Sequence, residues 1–536
     1  MCHGIKMATA PAQSLLDPTR GPGIAIEIAD RLSQELVIGL VGPVGSGVST
    51  AGAFVHDILV QEFGYQVAPV IKASDIIRNE AFRVGISPPP KILPSGGGPT
   101  PPKMNLTTYI NAMQTAGNAL REKYGANYLA EKAIEKIVGF RRERGGYAEN
   151  GQPLPGRRAY IIDSLKNVDE LGLLRRIYGE TLCVFGVFAP DVIRKQRLID
   201  AGAENDQVDA VLDRDQEELP TFGQMTRKVF VEADFFVRND QKTEELRRCV
   251  ARFLHLVFDT KIHTPTTAEA AMYGANAVAS SSACMSRQVG AAIVSAEGEL
   301  ISTGWNDVPK FGGGLYREDD QAVWDAKSKS IQDKDNRCFK WGGNICHNET
   351  RRNKILDVMA TALKNSSLVK KGVTHGQIRQ LLNGTDIDSL TEFSRAIHAE
   401  MEAILSVARE GRHSLVGATL FSTTYPCHNC ARHIVAAGIA EVVYIQPYKK
   451  SLATVLHKDA VTELPGHEDA VAFRQFDGVA PRNFLKLFQP KADRKQAGKL
   501  SRNTPQTAVP VLQIPLDGPV EYESKIIVDL ENKEQN

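Results

Sequence analysis

The 536-residue chain has no long hydrophobic run. No stretch approaches the roughly 18 consecutive apolar residues of a membrane-spanning helix, and residues 1–11 lack the apolar core of a signal peptide. These absences exclude a membrane segment at the level of sequence and indicate a globular protein. We therefore predict a cytoplasmic location with no membrane partner.

The chain also lacks an imbalance of charge. Its 64 Lys and Arg residues face 63 Asp and Glu residues, which gives a formal net charge of +1, and aromatic residues make up 7%. A protein that tracks a polynucleotide generally needs a basic groove and aromatic side chains on which bases stack. The basic segment 489–502 contains no aromatic residue. The composition therefore gives no support for a general nucleic-acid binder, and an inhibitory RNA partner is not derivable from it.

The eight cysteines do not form a disulfide framework. Cys2, Cys183, Cys249 and Cys284 are single and widely spaced, whereas disulfide frameworks belong to short secreted chains with closely spaced cysteines. This pattern predicts a reducing compartment. The length exceeds what one hydrophobic core can serve, so two or three domains are expected.

A glycine-rich loop follows the first strongly apolar segment. Residues 36–41 read as a buried strand, residues 42–50 spell Gly-Pro-Val-Gly-Ser-Gly-Val-Ser-Thr, and a helical pattern continues to about Glu62. Strand, glycine loop and helix N-terminus together let backbone N–H groups converge on a phosphate. The candidate nucleotide-binding residues are Gly42, Gly45, Gly47, Ser49 and Thr50.

This loop departs from the usual phosphate-binding sequence. Val48 occupies the position of the lysine that contacts the β- and γ-phosphates. Ser49 remains as a candidate Mg²⁺ ligand, and Asp163, which ends an apolar strand, is a second. Three interpretations stay open: nucleotide binding without efficient phosphoryl transfer, a purely structural relic, and an active kinase.

The order of the apolar segments after the loop resembles the nucleoside monophosphate kinase branch of P-loop proteins. The segments at 159–163, 182–188 and 233–237 are typical of further buried strands. We therefore predict a lead-in over 1–30 and a P-loop, nucleotide-kinase-like domain over 31–258. The segment 87–103, rich in proline and glycine, is expected to be an insertion outside the core.

A second motif lies in the C-terminal half. His398-Ala399-Glu400 begins one helical pattern, and Pro426-Cys427-His428-Asn429-Cys430 begins another after a strand-like segment. His398, Cys427 and Cys430 can hold one Zn²⁺ and leave a fourth position for water. Glu400 would lie beside the metal and move protons. The pattern H-x-E…P-C-x-x-C is the signature of zinc-dependent nucleobase deaminases, and a structural zinc site is the alternative.

Further residues narrow this resemblance. The segments Arg287-Gln288-Val289-Gly290-Ala291 and Gly304-Trp305-Asn306, together with the zinc motif, resemble deoxycytidylate deaminases over about 265–490. We therefore predict a cytidine-deaminase-type α/β/α domain over 264–490. Together with a P-loop domain, the chain is similar to bacterial anti-phage dCTP/dCMP deaminases.

The resemblance carries several implications. It implies that Asn306 contacts the nucleotide sugar and that Arg287 and Gln288 lie near the phosphates, with Lys449 and Lys450 as further candidates. It also implies a homo-oligomer and free deoxycytidine nucleotides as substrate. The glycine loop without its lysine separately motivates the hypothesis that the N-terminal domain binds a regulatory nucleotide.

The chain departs from a minimal deaminase at two places. An insertion over about 311–392 contains Cys338, Cys346 and His347, which either hold a second, structural zinc or are reduced, partly buried side chains. Residues 491–536 are polar, and we expect a solvated tail.

Three functions compete at this stage. The favoured one is zinc-dependent deamination of dCTP or dCMP, depleting the nucleotide pool in defence against phage under control of the N-terminal domain. The others are a polynucleotide deaminase and a nucleotide-sensing, kinase-like regulator with an appended deaminase. The sequence does not decide between dCTP and dCMP.

Overall fold

The computed structural model describes residues 28–88, 106–216, 218, 222–240, 242–320, 323–332, 335–341, 343–383, 385, 387, 390, 392–448, 451–464 and 469–535. Within these ranges, no helix is both long enough and apolar enough to cross a membrane. Two β-sheets organise the chain, one in the N-terminal half (28–258) and one in the C-terminal half (264–535). Most of the proline-rich segment 87–103 and of the predicted lead-in 1–30 lies outside the described residues.

The sheet of the N-terminal half is parallel where its long strands meet. Its strands are β1 (Leu36–Val41), β2 (Gln66–Val67), β3 (Ile71–Lys72), β4 (Arg158–Asp163), β5 (Leu182–Phe188) and β6 (Phe235–Arg238). Strand β1 pairs in parallel with both β4 and β5, and every residue of β1 and β4 is buried. A strand that is buried on both faces has an uninterrupted run of apolar residues. These strands could therefore be predicted from the sequence.

Helices cover both faces of this sheet. They span Val48–Gln61, Ala73–Glu80, Leu106–Tyr124, Tyr128–Glu143, Val168–Tyr178, Asp191–Asp200, Val208–Gln216, Thr226–Val231 and Thr243–Val257. Successive side chains of β1 point to opposite faces: Leu36, Ile38 and Leu40 enter one core, and Val37 and Val41 enter the other. The predicted order of strand, glycine loop and helix is therefore present at residues 36–61.

The sheet of the C-terminal half is mixed. It consists of β7 (Gly290–Val294), β8 (Leu300–Trp305), β11 (Thr419–Thr424), β12 (Glu441–Gln446), β13 (Val461–Thr462) and β14 (Val471–Gln475), in the order β13-β14-β12-β11-β7-β8. The inner strand β11 is antiparallel to β7 and parallel to β12. Its helices are Thr267–Ala279, His347–Asn365, His375–Leu382, Ala399–Glu410, His428–Ala436, Ala453–Leu456, Phe484–Phe488 and Asp517–Gln535. The mixed α/β class and the predicted hairpin with flanking helices are confirmed.

Glycine lets one helix approach this sheet closely. A Cβ on Gly304 of β8 would lie 2.5 Å from both the Ala399 carbonyl oxygen and the Ala403 amide nitrogen. The helix Ala399–Glu410 therefore packs with its backbone against β8. This contact fixes the height of the first helical turn, where Glu400 lies, above the sheet.

The insertion predicted over about 311–392 has structure of its own. It contains a hairpin of β9 (Val323–Asp325) and β10 (Ser330–Gln332), followed by the helices His347–Asn365 and His375–Leu382. The Asp335 carboxylate accepts hydrogen bonds from the buried Arg337 guanidinium at 2.7–3.1 Å. The insertion, which is poor in apolar residues, thus contains a buried ion pair.

Two segments of the C-terminal half return to the N-terminal half. Strand β15 (Gly478–Val479) pairs antiparallel with β6, so it extends the N-terminal sheet. The helix Asp517–Gln535 packs on the helices Tyr128–Glu143 and Val168–Tyr178. The hydrophobic core that contains Phe236 of the first sheet also contains Phe476 and Leu530. The two predicted domains therefore share one core.

The interpretation of 491–536 as a solvated tail is wrong for its last part. In the helix Asp517–Gln535, the Glu523 side chain is fully buried and accepts hydrogen bonds from Arg141, one of them at 3.0 Å, and from Tyr178 at 2.9 Å. The same guanidinium donates to Glu35 at 2.7 and 2.9 Å. The polar composition concealed a packed helix because one of its buried contacts is an ion pair. The short strands β16 (Lys495–Gln496) and β17 (Lys499–Leu500) are exposed, as expected of a polar segment.

Candidate functional site

The three predicted zinc ligands converge. His398 precedes the helix Ala399–Glu410, and Cys427 precedes the helix His428–Ala436, which carries Cys430 in its first turn. His398 Nδ1 lies 3.4 Å from Cys427 Sγ and 3.3 Å from Cys430 Sγ. Among the described residues, only this group brings three or more His, Cys, Asp or Glu ligand atoms within 4.8 Å of one another.

Contacts at the end of β8 fix the position of this cluster. The Ile397 amide donates to the Asp307 carbonyl oxygen at 2.9 Å, so the residue before His398 is tied to the end of the strand. Cys430 is buried in the same core as Ala399 and Ala403. The ligands are therefore held by the helix starts and the sheet rather than by a loose loop.

Hydrogen bonds within the cluster shift the pKa values of its three groups. The hydrogen bond from Cys430, followed by that from His398, lowers the pKa of Cys427 to about 4. The hydrogen bond between His398 and Cys427 raises the pKa of His398 to about 9. The hydrogen bond between Cys430 and Cys427 raises the pKa of Cys430 well above its usual value. A thiolate is thus already stabilised at a helix N-terminus. One imidazole and two cysteine sulfurs are the donor set of a catalytic zinc with an open position, so the residues fit Zn²⁺.

Glu400 is the carboxyl group nearest this cluster. It is 4% exposed, and burial raises the pKa of its side chain. The Cys430 thiol donates to Glu400 Oε2 at 3.6 Å. A buried carboxyl group with a raised pKa, adjacent to a metal position, is suited to accept and release protons.

The cluster opens into a cavity of about 650 Å³, here called the central cavity. Four arginines line it among the described residues: Arg227, Arg287, Arg352 and Arg395. The carboxylate-bearing residues in the same lining are Asp307 and Glu400. Although the chain as a whole is nearly neutral, this cavity is rich in guanidinium groups and suits an anionic substrate.

Asn306 lies at the cavity, but its amide serves the protein. Its Oδ1 accepts from the Val289 amide at 2.7 Å, and its Nδ2 donates to the Arg287 carbonyl oxygen at 2.9 Å. Asn306 thereby holds the backbone of residues 287–289 against the end of β8. In the structure it is a positioning residue, and the predicted contact with a sugar stays a prediction.

The two neighbouring candidates, Arg287 and Gln288, differ in their position relative to the central cavity. Arg287 lines the central cavity, with its guanidinium carbon 5.7 Å from the centre of the Tyr448 ring. Gln288 does not line it, because Gln288 Nε2 donates to the Ser282 carbonyl oxygen at 2.7 Å. The prediction that Gln288 lies near the phosphates is therefore not supported by its position. Lys449 and Lys450 lie outside the described residues.

The insertion residues Cys338, Cys346 and His347 also line the central cavity. They do not form a group of three ligand atoms within 4.8 Å. The alternative interpretation, reduced and partly buried side chains, describes both cysteines, which are half-buried free thiols. The described part of the insertion therefore gives no support for a second zinc.

The predicted nucleotide-binding loop has the expected backbone conformation, and its Ser49 side chain makes a hydrogen bond within the protein. Gly45 and Gly47 have φ of 82° and 85°, the left-handed conformation that glycine adopts readily. Ser49 Oγ donates to Asp163 Oδ2 at 2.7 Å, which brings together the two candidate Mg²⁺ ligands. Gly42 is buried, whereas Thr50 is exposed.

Val48, which replaces the usual loop lysine, packs in the apolar core, and a lysine from elsewhere in the chain, Lys166, contacts the loop. The Val48 side chain is 8% exposed and belongs to the apolar core beneath the loop. Lys166 Nζ, from after β4, donates to the Gly42 carbonyl oxygen at 2.8 Å and to Asp215 Oδ1 at 2.9 Å. Asp215 Oδ2 in turn accepts from the Val44 amide at 2.8 Å. A lysine is thus present at the loop, but it comes from elsewhere in the chain and is paired with an aspartate.

Sequence analysis missed Arg227, Arg352, Arg395 and Lys166. Each reaches its site through tertiary packing, and no motif contains any of them. Arg227 is the least foreseeable, since it belongs to the helix Thr226–Val231 of the N-terminal half.

Comparison with known proteins identifies the C-terminal region. Residues 265–446 match the family model described as "Cytidine and deoxycytidylate deaminase zinc-binding region". The deoxycytidylate deaminase of Enterobacteria phage T2 is 29% identical over 179 residues, covering 32% of this chain and 77% of the phage protein. ComE operon protein 2 of Bacillus subtilis is 35% identical over 97 residues, covering 18% of this chain and 50% of that protein.

A solved structure gives a weaker likeness. The crystal structure of dCMP deaminase from the cyanophage S-TIM5 in complex with dCMP and dUMP shares 18% identity and a TM-score of 0.22, covering 40% of this chain and 99% of that one. The assignment therefore depends on the family model and the sequence relatives. Together with the His/Cys/Cys group, these support a hydrolytic nucleotide deaminase whose zinc-binding region lies at residues 265–446.

Proposed function

We propose that this protein hydrolytically deaminates free deoxycytidine nucleotides, dCTP and dCMP, at the cluster of His398, Cys427, Cys430 and Glu400. One observation carries the proposal: the three ligand atoms converge beside a buried carboxyl group in a cavity lined by arginines. The guanidinium groups suit the phosphates of a single nucleotide. The near-neutral composition gives no support for a general polynucleotide binder.

His398, Cys427 and Cys430 would hold Zn²⁺, which when bound supplies a Lewis acid that activates water at neutral pH. Glu400 accepts a proton from the attacking water and delivers it to N3 of the cytosine ring. The water oxygen bonds to C4, and Glu400 then takes the remaining proton from the hydroxyl group on C4 and passes it to the amino nitrogen, so that the C4–N4 bond breaks and ammonia leaves as the C4 carbonyl forms. The products are the deoxyuridine nucleotide and ammonia.

A substrate panel tests the proposal. The purified protein is incubated with dCTP, dCMP, CTP and a cytosine-containing oligonucleotide, and ammonia and uracil products are measured. We expect turnover of a deoxycytidine nucleotide and none of the oligonucleotide, with one zinc per chain by elemental analysis. Turnover of the oligonucleotide alone would contradict the proposal and identify a polynucleotide deaminase.

We further propose that the N-terminal half regulates this activity and that the protein protects bacteria against phage by depleting deoxycytidine nucleotides. The support is the combination of a glycine loop, paired Ser49 and Asp163, and a deaminase region in one chain. Oxygen ligands of this kind suit a Mg²⁺–nucleotide as the regulatory ligand. From the resemblance to bacterial anti-phage dCTP/dCMP deaminases, we also propose that the protein is a cytoplasmic homo-oligomer.

Replacing Ser49 by Ala separates regulation from catalysis. We expect deamination of dCTP in vitro to change by less than about twofold, because no residue of the glycine loop lines the central cavity. Plaque assays should show that protection from phage is lost. The control is Gln61→Ala, an exposed position on the same helix, which should protect as the wild type does. Full protection by Ser49→Ala would contradict a regulatory role for the loop.

A further inference from the structure

Arg227 stands where the two halves of the chain meet. Its short helix, Thr226–Val231, belongs to the N-terminal half and contacts β12 of the C-terminal half. The arginine lines the central cavity, which also contains His398 and Glu400. The matched deaminase region begins only at residue 265, so Arg227 is an addition to that region from a different part of the chain.

A second cavity, of about 280 Å³, is also lined by this arginine and is here called the interdomain cavity. Pro43 of the glycine loop lines it from one half, and Tyr444 lines it from the other. Arg227 and Tyr448 line both cavities. The two spaces therefore meet at a corner formed by both halves of the protein.

The charges on the two sides of this corner differ. The interdomain cavity carries the carboxyl groups of Asp191, Asp213 and Glu463 in its lining, with Arg194 as the other guanidinium. The central cavity has its three further arginines in the C-terminal half. Because carboxylates repel an anion, the favourable place for phosphate at this corner is the central side.

A guanidinium from the C-terminal half lies near the same corner. Arg287 is placed over the ring of Tyr448, one of the two tyrosines that line both cavities. Arg287 and Arg227 thus approach the corner from different halves. A nucleotide whose base lies at Glu400 extends its phosphates away from the cluster, and each added phosphate brings further anionic oxygens that need donors.

We propose that Arg227 binds the outer phosphates of a deoxycytidine triphosphate and so makes the N-terminal half part of the substrate site. This inference rests on the proposed deamination of deoxycytidine nucleotides. A monophosphate is held by the arginines of the C-terminal half. The two additional phosphates of dCTP reach the guanidinium supplied by the helix Thr226–Val231, which selects the triphosphate.

Arg227→Gln tests the assignment through the ratio of two substrates. We expect kcat/KM for dCTP to fall roughly 10- to 100-fold, as for loss of a charge-assisted hydrogen bond, and kcat/KM for dCMP to change by less than about twofold. Arg227→Lys keeps the charge without the two-pronged geometry and should lie between wild type and Gln. The control is Arg247→Gln, an exposed position on the helix Thr243–Val257 that lines neither cavity.

Binding provides a readout that does not need turnover. In a Glu400→Gln background, calorimetry should show dCTP affinity reduced by a similar factor when Arg227 is replaced, with dCMP affinity unaltered. Unchanged dCTP affinity, or equal losses for both nucleotides, would overturn the assignment, the second outcome indicating a packing role. Wild-type protein that deaminates only dCMP would also overturn it, leaving deamination intact. Wild-type protein inactive on both nucleotides would instead refute the proposed function.

Discussion

Glu400→Gln is expected to abolish deamination while zinc remains bound. The amide keeps the size of the side chain but neither accepts the proton of the attacking water nor returns one to the leaving group. General acid–base catalysis of this kind contributes roughly 10²- to 10⁴-fold in rate, so kcat should fall by at least that range. Ammonia release from dCTP and dCMP measures the loss, and elemental analysis measures the metal.

The same helix offers a matched control. Glu402 is also buried, but its carboxylate accepts from Arg409 at 2.6 Å and does not line the central cavity. Glu402→Gln should retain turnover within a few-fold, because only a surface-directed ion pair is lost. A Glu400→Gln protein that still converted either nucleotide would show that another group moves the protons.

Among the substitutions proposed for this protein, Glu523→Ala is expected to lower the free energy of unfolding the most. The change leaves the fully buried guanidinium of Arg141 with Glu35 as its remaining carboxylate partner and removes the acceptor of the Tyr178 hydroxyl. Breaking a buried ion pair from one side generally costs about 3–5 kcal/mol, since a charge is left under-compensated in the interior. The shift in the denaturant midpoint measures the cost, and proteolysis should release the helix Asp517–Gln535 first.

The same helix contains an exposed ion pair for comparison. Asp517 pairs with Arg31 near the surface, where its side chain is 52% exposed. Asp517→Ala should cost no more than about 1 kcal/mol, because solvent screens the pair. Equal effects of the two substitutions would show that the Glu523 network does not anchor the helix.

The secure parts of the sequence-based prediction are those in which the determining residues lie close together in the chain. The Cys-x-x-Cys spacing places two sulfurs on one helix start, and His398 with Glu400 occupy another, so the ligand set could be read directly. The parallel strands were equally clear, because burial on both faces leaves uninterrupted apolar runs such as residues 36–41.

The less successful predictions concern what side chains contact across the fold. Gln288 was assigned to a ligand from its place in a motif, yet its amide donates to the Ser282 carbonyl oxygen. The Asn306 amide also contacts backbone groups of residues 287–289, which no motif indicates. Arg227 and Lys166 reach their sites only after two segments pack together. Polarity alone also gave no means to distinguish the buried Glu523 from a solvated glutamate.

Pairing of β15 with β6 has a consequence for synthesis on the ribosome. Strand β6 emerges about 240 residues before Gly478 and Val479, which cover its edge. At roughly 5–20 residues per second, that edge waits tens of seconds for its partner. Arg141 waits longer still for Glu523. The nascent N-terminal half therefore presents an open strand edge, and an Arg141 guanidinium that has Glu35 but not Glu523 as partner, throughout translation of the rest. Chaperones would be expected to bind such an open edge.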